Sequence, residues 1–513
     1  MFVRVNSGAI AGIDAVEVTA EVNVAGGGVG LYIVGLPDNT IKESEERIQA
    51  AFENSGFRPV TKKTVVNLAP ADLRKEGSQY DIAIAVGILT ATEQIHTPML
   101  EESLFIGELS LNGVIRPVKG VLPLVAMARK RGLKRVFMPV ENISEGAVVE
   151  GIESVGVGSL VELCQILEGR IPYEVAESKI GSEATEEDEF REDFADVKGQ
   201  AYVKRALEIA AAGGHNVIMI GSPGSGKTML ARRMPTILPP MTLDEALETT
   251  KIHSVAGKIG ANKGLITHRP FRAPHHLTSQ VALIGGGQSP QPGEVSLANN
   301  GILFLDEMPE FGRNVLEVLR QPLEDRHITI SRAKYSVDYP ARFTLIASMN
   351  PCPCGYYNHP TKECTCSAAA VHRYKSHISG PLMDRIDIHI EVVPVPISEM
   401  SSTVKAESSA EIRRRVVAAR EIQLRRFEGL DIHCNAMMNS SMLRRFAPLD
   451  KVCSTLLESA MERLQLSARA YDRIIKVART IADLEAKENI EPQHLTEAIS
   501  YRSLDRDTWG ARG

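Results

Sequence analysis

An eight-residue run, Gly221-Ser222-Pro223-Gly224-Ser225-Gly226-Lys227-Thr228, constrains this chain more than any other stretch. The apolar residues Val217-Ile218-Met219-Ile220 precede it, and Met229-Leu230-Ala231 continue it. Strand, glycine-rich bend and helix in that order make a phosphate cradle. Glycines let backbone N–H groups converge on phosphate oxygens without a Cβ in the way, and the helix N-terminus adds partial positive charge. The pattern assigns Lys227 to the β- and γ-phosphates of a nucleoside triphosphate and the Thr228 hydroxyl to Mg²⁺.

Two further strands complete the reading. Ile302-Leu303-Phe304-Leu305 ends in Asp306-Glu307, an apolar strand presenting two acids at its C-terminal edge. Asp306 is expected to hold Mg²⁺ through water, and Glu307 to orient and polarise the attacking water. The strand Phe343–Ser348 leads to Asn350, whose amide suits the γ-phosphate or that water, although a turn asparagine has the same appearance.

The chain has 513 residues, 43% hydrophobic and 24% charged, with a net charge of −6. Those values fit a soluble multi-domain protein and exclude a generally basic nucleic-acid coat. No apolar run is long enough to span a membrane, and the N-terminus lacks a secretory signal pattern. Seven cysteines, four of them clustered, point to a reducing cytoplasm rather than a disulfide framework.

Residues 1–175 read as α/β. Val16, Val18, Ala20, Val22 and Val24 alternate at strand period, Val65–Leu68 and Arg135–Met138 read as strands, and Thr40 with Glu43 reads as a capping box before a helix burying Ile41, Ile48, Ala51 and Phe52. Residues 176–195 read as an exposed acidic linker, with an acidic surface helix as the alternative. Residues 196–396 alternate strands and helices as a parallel sheet requires. Residues 397–513 are helical, with Ile474, Val477, Ala478 and Ile481 at helix spacing behind Ser467 as N-cap.

With these elements go three signature stretches: Arg269-Pro270-Phe271-Arg272-Ala273-Pro274-His275-His276, Pro292-Gly293-Glu294-Val295-Ser296-Leu297-Ala298 and Gly380-Pro381-Leu382-Met383-Asp384-Arg385-Ile386-Asp387. Together they resemble the magnesium-chelatase-like branch of the AAA+ superfamily, and the whole chain resembles the bacterial ComM/YifB family of competence-associated ATPases. The resemblance implies an AAA+ P-loop core with a C-terminal helical lid. It implies ATP and Mg²⁺ as ligands, a homo-hexameric ring, and branch migration on single-stranded or branched DNA. It places Val197, within Asp196–Gln200, against adenine. It places Arg385 as a finger reaching a neighbouring subunit's ATP, and Arg469 as the second sensor, with Arg473 the runner-up.

Gly107–Val118 resembles the proteolytic domain of Lon. That chemistry needs a serine and a lysine base, and the aligned positions hold Gln79 and Leu122, so the first domain reads as a catalytically dead relative despite nearby Ser78 and Lys119. A hairpin over Ile328–Val337 carries Arg332 and Lys334 near its tip, a cationic pair suited to DNA phosphates or simply to solvent. The insertion from Leu283 to Pro292, with Gly285-Gly286-Gly287, resembles the loop that AAA+ relatives project toward a ring's pore. Cys352-Pro353-Cys354 and Cys364-Thr365-Cys366 can supply four thiolates to Zn²⁺; two redox-labile pairs or plain loop cysteines match the same spacing. Two functions stay open: an ATP-driven DNA motor, or a chelatase-like or protein-remodelling ATPase without DNA.

Overall fold

A computed structural model describes residues 1–178, 192–260, 263–287, 290–332, 335–359, 361–395 and 406–502. The chain divides into two compact units: residues 1–185, 243–267 and 331–339, and residues 186–242, 268–330 and 340–513. The segments 243–267 and 331–339, which fall inside the 196–396 stretch in sequence, are thus counted with the first unit.

The first unit is built on a seven-stranded sheet in the order Gly30–Val34, Lys63–Ala69, Asp14–Ala25, Phe2–Ala11, Ser103–Phe105, Arg135–Pro139, Glu153–Val157. Its strands alternate between two apolar clusters. Leu104, Val136 and Met138 belong to one, whereas Phe105 and Phe137 belong to the other. Because successive strand residues point to opposite faces, both faces are covered. The helix Asp81–Ala91 is apolar apart from Asp81 and Thr90 and buried at every position, which explains its place in a core rather than on a surface. Val18, Ala20 and Val22 are buried as their alternation requires, while Val16 is exposed. Ile41, Ile48, Ala51 and Phe52 are buried too. The cap ahead of them differs from the sequence expectation. The Asp38 carboxylate accepts from Ile41 N at 2.9 Å, and Thr40 lies inside the first helical turn. A carboxylate two residues upstream is the stronger acceptor for the orphan N–H groups.

The helix Leu243–Val255 belongs to this unit. Gly120 N–H donates to Ser254 O at 3.2 Å, and Lys251 pairs with Asp14 at 2.9 Å. Buried Glu145 accepts from Leu122 N at 2.7 Å and from the Ser254 hydroxyl. Burial pushes its carboxyl above the usual range against these hydrogen bonds.

The second unit holds a five-stranded, all-parallel sheet in the order Phe271–Arg272, Ile302–Leu305, Thr344–Met349, Val217–Ile220, Ile388–Glu391. The strand leading to the cradle is flanked on both sides and buried throughout. A helical region follows, and its helix Ala468–Leu484 is capped by Ser467, whose hydroxyl accepts from Ala470 N at 3.3 Å. Ile474, Val477, Ala478 and Ile481 join Val217, Met219, Ile346 and Ile388 in one apolar cluster. Mixed α/β architecture, a parallel sheet and a helical C-terminal region together make an AAA+-like fold. Among the described residues no helix is long and apolar enough to cross a membrane.

Candidate nucleotide site

The bend 221–228 follows the C-terminal end of the strand Val217–Ile220. Gly221 N–H donates to Met349 O at 3.2 Å, and a Cβ at Gly221 would meet Val392 O at 2.3 Å, so no larger residue fits between the two neighbouring strands. Gly224 and Gly226 adopt φ of +79° and +93°. Lys227, 9% exposed, opens the helix Lys227–Ile237. Its ammonium donates to Gly221 O (2.8 Å), Ser222 O (3.0 Å) and Asn350 Oδ1 (3.3 Å). All three acceptors are neutral. Burial pulls its pKa down, against the attraction of Asp306 and Glu307.

The two acids sit where the strand reading put them. Thr228 Oγ1 donates to Asp306 Oδ2 at 2.8 Å, joining residues 78 apart in sequence. Ser348 donates its hydroxyl to Asp306 Oδ1. The same hydroxyl accepts from Glu307 N–H at 3.2 Å, so one side chain fixes both acids. Glu307 itself has φ of +51°, a left-handed conformation that costs a non-glycine residue about 1 kcal/mol or more. Strain of this kind, held by a buried hydroxyl beside a phosphate cradle, is what positioning of an acid looks like. Ser348 was missed in sequence because a serine in a buried strand has no distinguishing period; its position two residues before Asn350 was the only signal.

The segment Asp196–Gln200 reaches the cradle through Gln200, whose Nε2 donates to Ser225 O at 2.8 Å. Val197 is fully buried, and its carbonyl accepts from Lys204 Nζ at 2.6 Å. Ser222 Oγ, Ser225 Oγ and Gln200 Oε1 are buried without a hydrogen-bond partner among the described residues. Orphaned polar atoms around a bend call for a polar ligand.

The arginines divide. Arg385, 6% exposed, pairs with Glu324 of its own chain and donates to Pro381 O at 2.7 Å. Arg469 is 57% exposed on its side chain, 4.0 Å from Asp384. Arg473 instead makes a close ion pair with Asp387. Asp387 is 2% exposed and also accepts from Asn216 N–H at 2.9 Å. Burial pushes its carboxyl up, but Arg473, His215 and Lys476 prevail and hold it well below the usual range. Two of the signature stretches meet as well: Arg272 forks onto Glu294 at 2.6 and 2.8 Å.

In the glycine loop, Gly285 and Gly286 pair with Pro292 and Gln291. The hairpin strands are His327–Arg332 and Tyr335–Pro340. Lys334 and the Arg332 side chain lie outside the described residues. Most of the acidic linker does too, except that Asp193 caps the turn Phe194–Asp196. At the Lon-like positions, Leu122 is buried in an apolar cluster, and the Ser78 hydroxyl donates to Glu108. In the basic helix Ser409–Arg426, Arg415 pairs with Glu208 and Glu407, and Arg426 with Asp483.

Comparison with known proteins settles the kinship. The family model "Magnesium chelatase, subunit ChlI" matches residues 193–400, its companion "Subunit ChlI of Mg-chelatase" residues 20–142, and the ChlI C-terminal model residues 406–502. YifB of Salmonella typhimurium is 43% identical over 98% of this chain and 97% of its own length. The competence protein ComM of Haemophilus influenzae is 42% identical over 98% and 97%. The chain belongs to the ComM/YifB family of magnesium-chelatase-like AAA+ ATPases. A shorter similarity, 31% identity over 24% of the chain, links it to Lon protease 2 of Bacillus subtilis, which covers 22% of that protein. A ComM/YifB chain thus carries the cradle, the paired acids and Asn350 on the parallel sheet of its second unit.

Proposed function

We propose that this chain is an ATP-hydrolysing motor that assembles as a homo-hexameric ring and acts on single-stranded or branched DNA in the recombination of incoming DNA. The observation that carries the ATPase reading is the meeting of Thr228 and Asp306 at 2.8 Å, one residue from Lys227, whose ammonium has neutral partners. A hydroxyl and a carboxylate oxygen are the hard donors that Mg²⁺ takes, usually keeping several waters. Bound there with ATP, Mg²⁺ would neutralise charge on the phosphates.

The other roles follow from chemistry in this chain. Lys227 exchanges its neutral acceptors for phosphate oxygens, and Thr228 and Asp306 hold the metal. Glu307 orients the attacking water, and Asn350 Oδ1, now occupied by Lys227, is placed to hydrogen-bond that water. Val197 packs beside the base. Arg385 leaves Glu324 to reach the triphosphate of an adjacent subunit, with Arg469 sensing the nucleotide from the lid. The DNA reading is supported by the name of the H. influenzae relative and by the cationic hairpin sequence at Arg332 and Lys334. ATP turnover measured with and without single-stranded and four-way-junction DNA tests it. Turnover that rises with DNA supports the motor on DNA. Brisk turnover indifferent to every DNA favours the chelatase-like or protein-remodelling alternative.

A further inference from the structure

Among the described residues, one group of potential metal ligands stands apart from the nucleotide site: Cys352, Cys354, Cys364 and Cys366. They come from two Cys-x-Cys pairs in a stretch, 351–367, whose described residues form neither helix nor strand. Nevertheless their four sulfurs lie within 4.8 Å of one another. Cys352 Sγ is 3.3 Å from Cys354 Sγ and 3.7 Å from Cys364 Sγ, and Cys354 and Cys364 are 3.6 Å apart.

Those separations decide between the alternatives open in the sequence. A disulfide brings two sulfurs to about 2.05 Å, and all four cysteines here are free. Unconnected loop cysteines have no reason to converge from both ends of a structureless stretch. A tetrahedral zinc site with Zn–S bonds of about 2.3 Å has sulfur–sulfur edges of about 3.8 Å. The observed spacings approach that edge. Cys354 N–H also donates to Cys366 Sγ at 3.4 Å, the kind of backbone contact that steadies a thiolate in a metal knuckle. Cys352 is fully buried and the others are half-buried, which keeps such a site closed to a fifth ligand.

We propose that these four cysteines bind one structural Zn²⁺ as thiolates, releasing four protons to solvent as the metal enters. The metal takes the place of a core that this loop lacks. Cys352 follows Asn350 by two residues, and Gly355, at φ of +82°, lies against the cradle: a Cβ there would meet Pro223 Cδ at 2.4 Å. The zinc clip therefore fixes one wall of the bend 221–228. That last consequence rests on the nucleotide reading of the bend; the metal assignment does not.

The test is metal analysis of the full-length chain purified under reducing conditions without chelator. Roughly one zinc per chain is expected for a closed tetrathiolate site, released when a mercurial titrates the thiols. Cys364→Ser with Cys366→Ser loses the zinc, while Cys164→Ala, in the first unit, retains it. Wild-type chain stripped and refilled with Co²⁺ should show the intense visible absorption of tetrahedral tetrathiolate cobalt, which keeps the test decisive if the double variant does not fold. Iron in place of zinc, four titratable thiols with no metal, or a disulfide between any two of these cysteines would overturn the assignment. Loss of DNA stimulation with zinc intact would count against the motor reading alone.

Discussion

Asp387 closes the third signature stretch, and its structural setting allows a quantitative forecast. It takes an N–H from Asn216, at the foot of the cradle strand, and pairs with Arg473 on the helix Ala468–Leu484. It therefore ties that helix to the sheet. Asp387→Asn keeps the size and the acceptor for Asn216 while removing the charge. Breaking a buried ion pair from one side costs about 3–5 kcal/mol because the remaining charge is left uncompensated. The Arg473 side chain is 19% exposed, so water relieves part of that cost and the low end, about 3 kcal/mol, applies. At this size 1 kcal/mol moves Tm by about 2 °C, giving a drop of about 6 °C in calorimetry. The sign with pH follows from the depressed carboxyl. Its contribution is fully present above the unfolded-state value of about 3.9 and is lost as pH falls through the lower folded value. The gap between wild type and variant should persist from neutral pH to about pH 5 and narrow only below about pH 4. The double variant Asp387→Asn with Arg473→Met should cost less than the sum of the two single changes by more than about 1 kcal/mol. A single-variant shift under about 2 °C, or simple additivity, would refute the anchoring role.

Four changes bear on the chemistry. Lys227→Ala should weaken ATP binding at least about tenfold in a fluorescent-nucleotide titration, as loss of a charge-assisted contact requires; unchanged affinity would contradict the cradle. Glu307→Gln should bind ATP normally yet turn over about 10²–10⁴-fold more slowly, and wild-type turnover would remove its role. Arg385→Ala should spare binding but lose about 10³–10⁵ in rate, with partial rescue on mixing with Lys227→Ala subunits; without rescue, action between subunits fails. Ser348→Ala should raise the Mg²⁺ concentration needed for half-maximal turnover about tenfold, from a lost hydrogen bond to a charged group; an unchanged Mg²⁺ dependence would show that Asp306 is held by other means.

The cradle and the strands that end at Asp306 and before Asn350 were legible because their signals are local. Glycine spacing, an apolar run and the residues ending it can all be read within a dozen positions. The partners of those residues were not. Ser348 acts on Asp306 from 42 residues away and Asp387 on Asn216 from 171, and no period in either stretch marks the meeting. The capping choice of Asp38 over Thr40 turns on which of two nearby acceptors better meets Ile41 N–H, a matter of backbone angle. The helix Leu243–Val255 shows the same limit at larger scale. Its buried residues announce that something covers them, and only the fold shows that the N-terminal residues do so.

That placement has a consequence for anyone dividing this protein. The chain leaves the second unit after Thr242, spends Leu243–Thr267 completing the first, and then returns. Deleting residues 1–178 would uncover a helix whose Ala246, Ile252 and Val255 they help to bury, and would strip Ser254 of its Glu145 partner. A fragment starting near Asp193 is therefore a protein with an unpaired apolar helix rather than an isolated engine, and nicked halves should remain together until denatured.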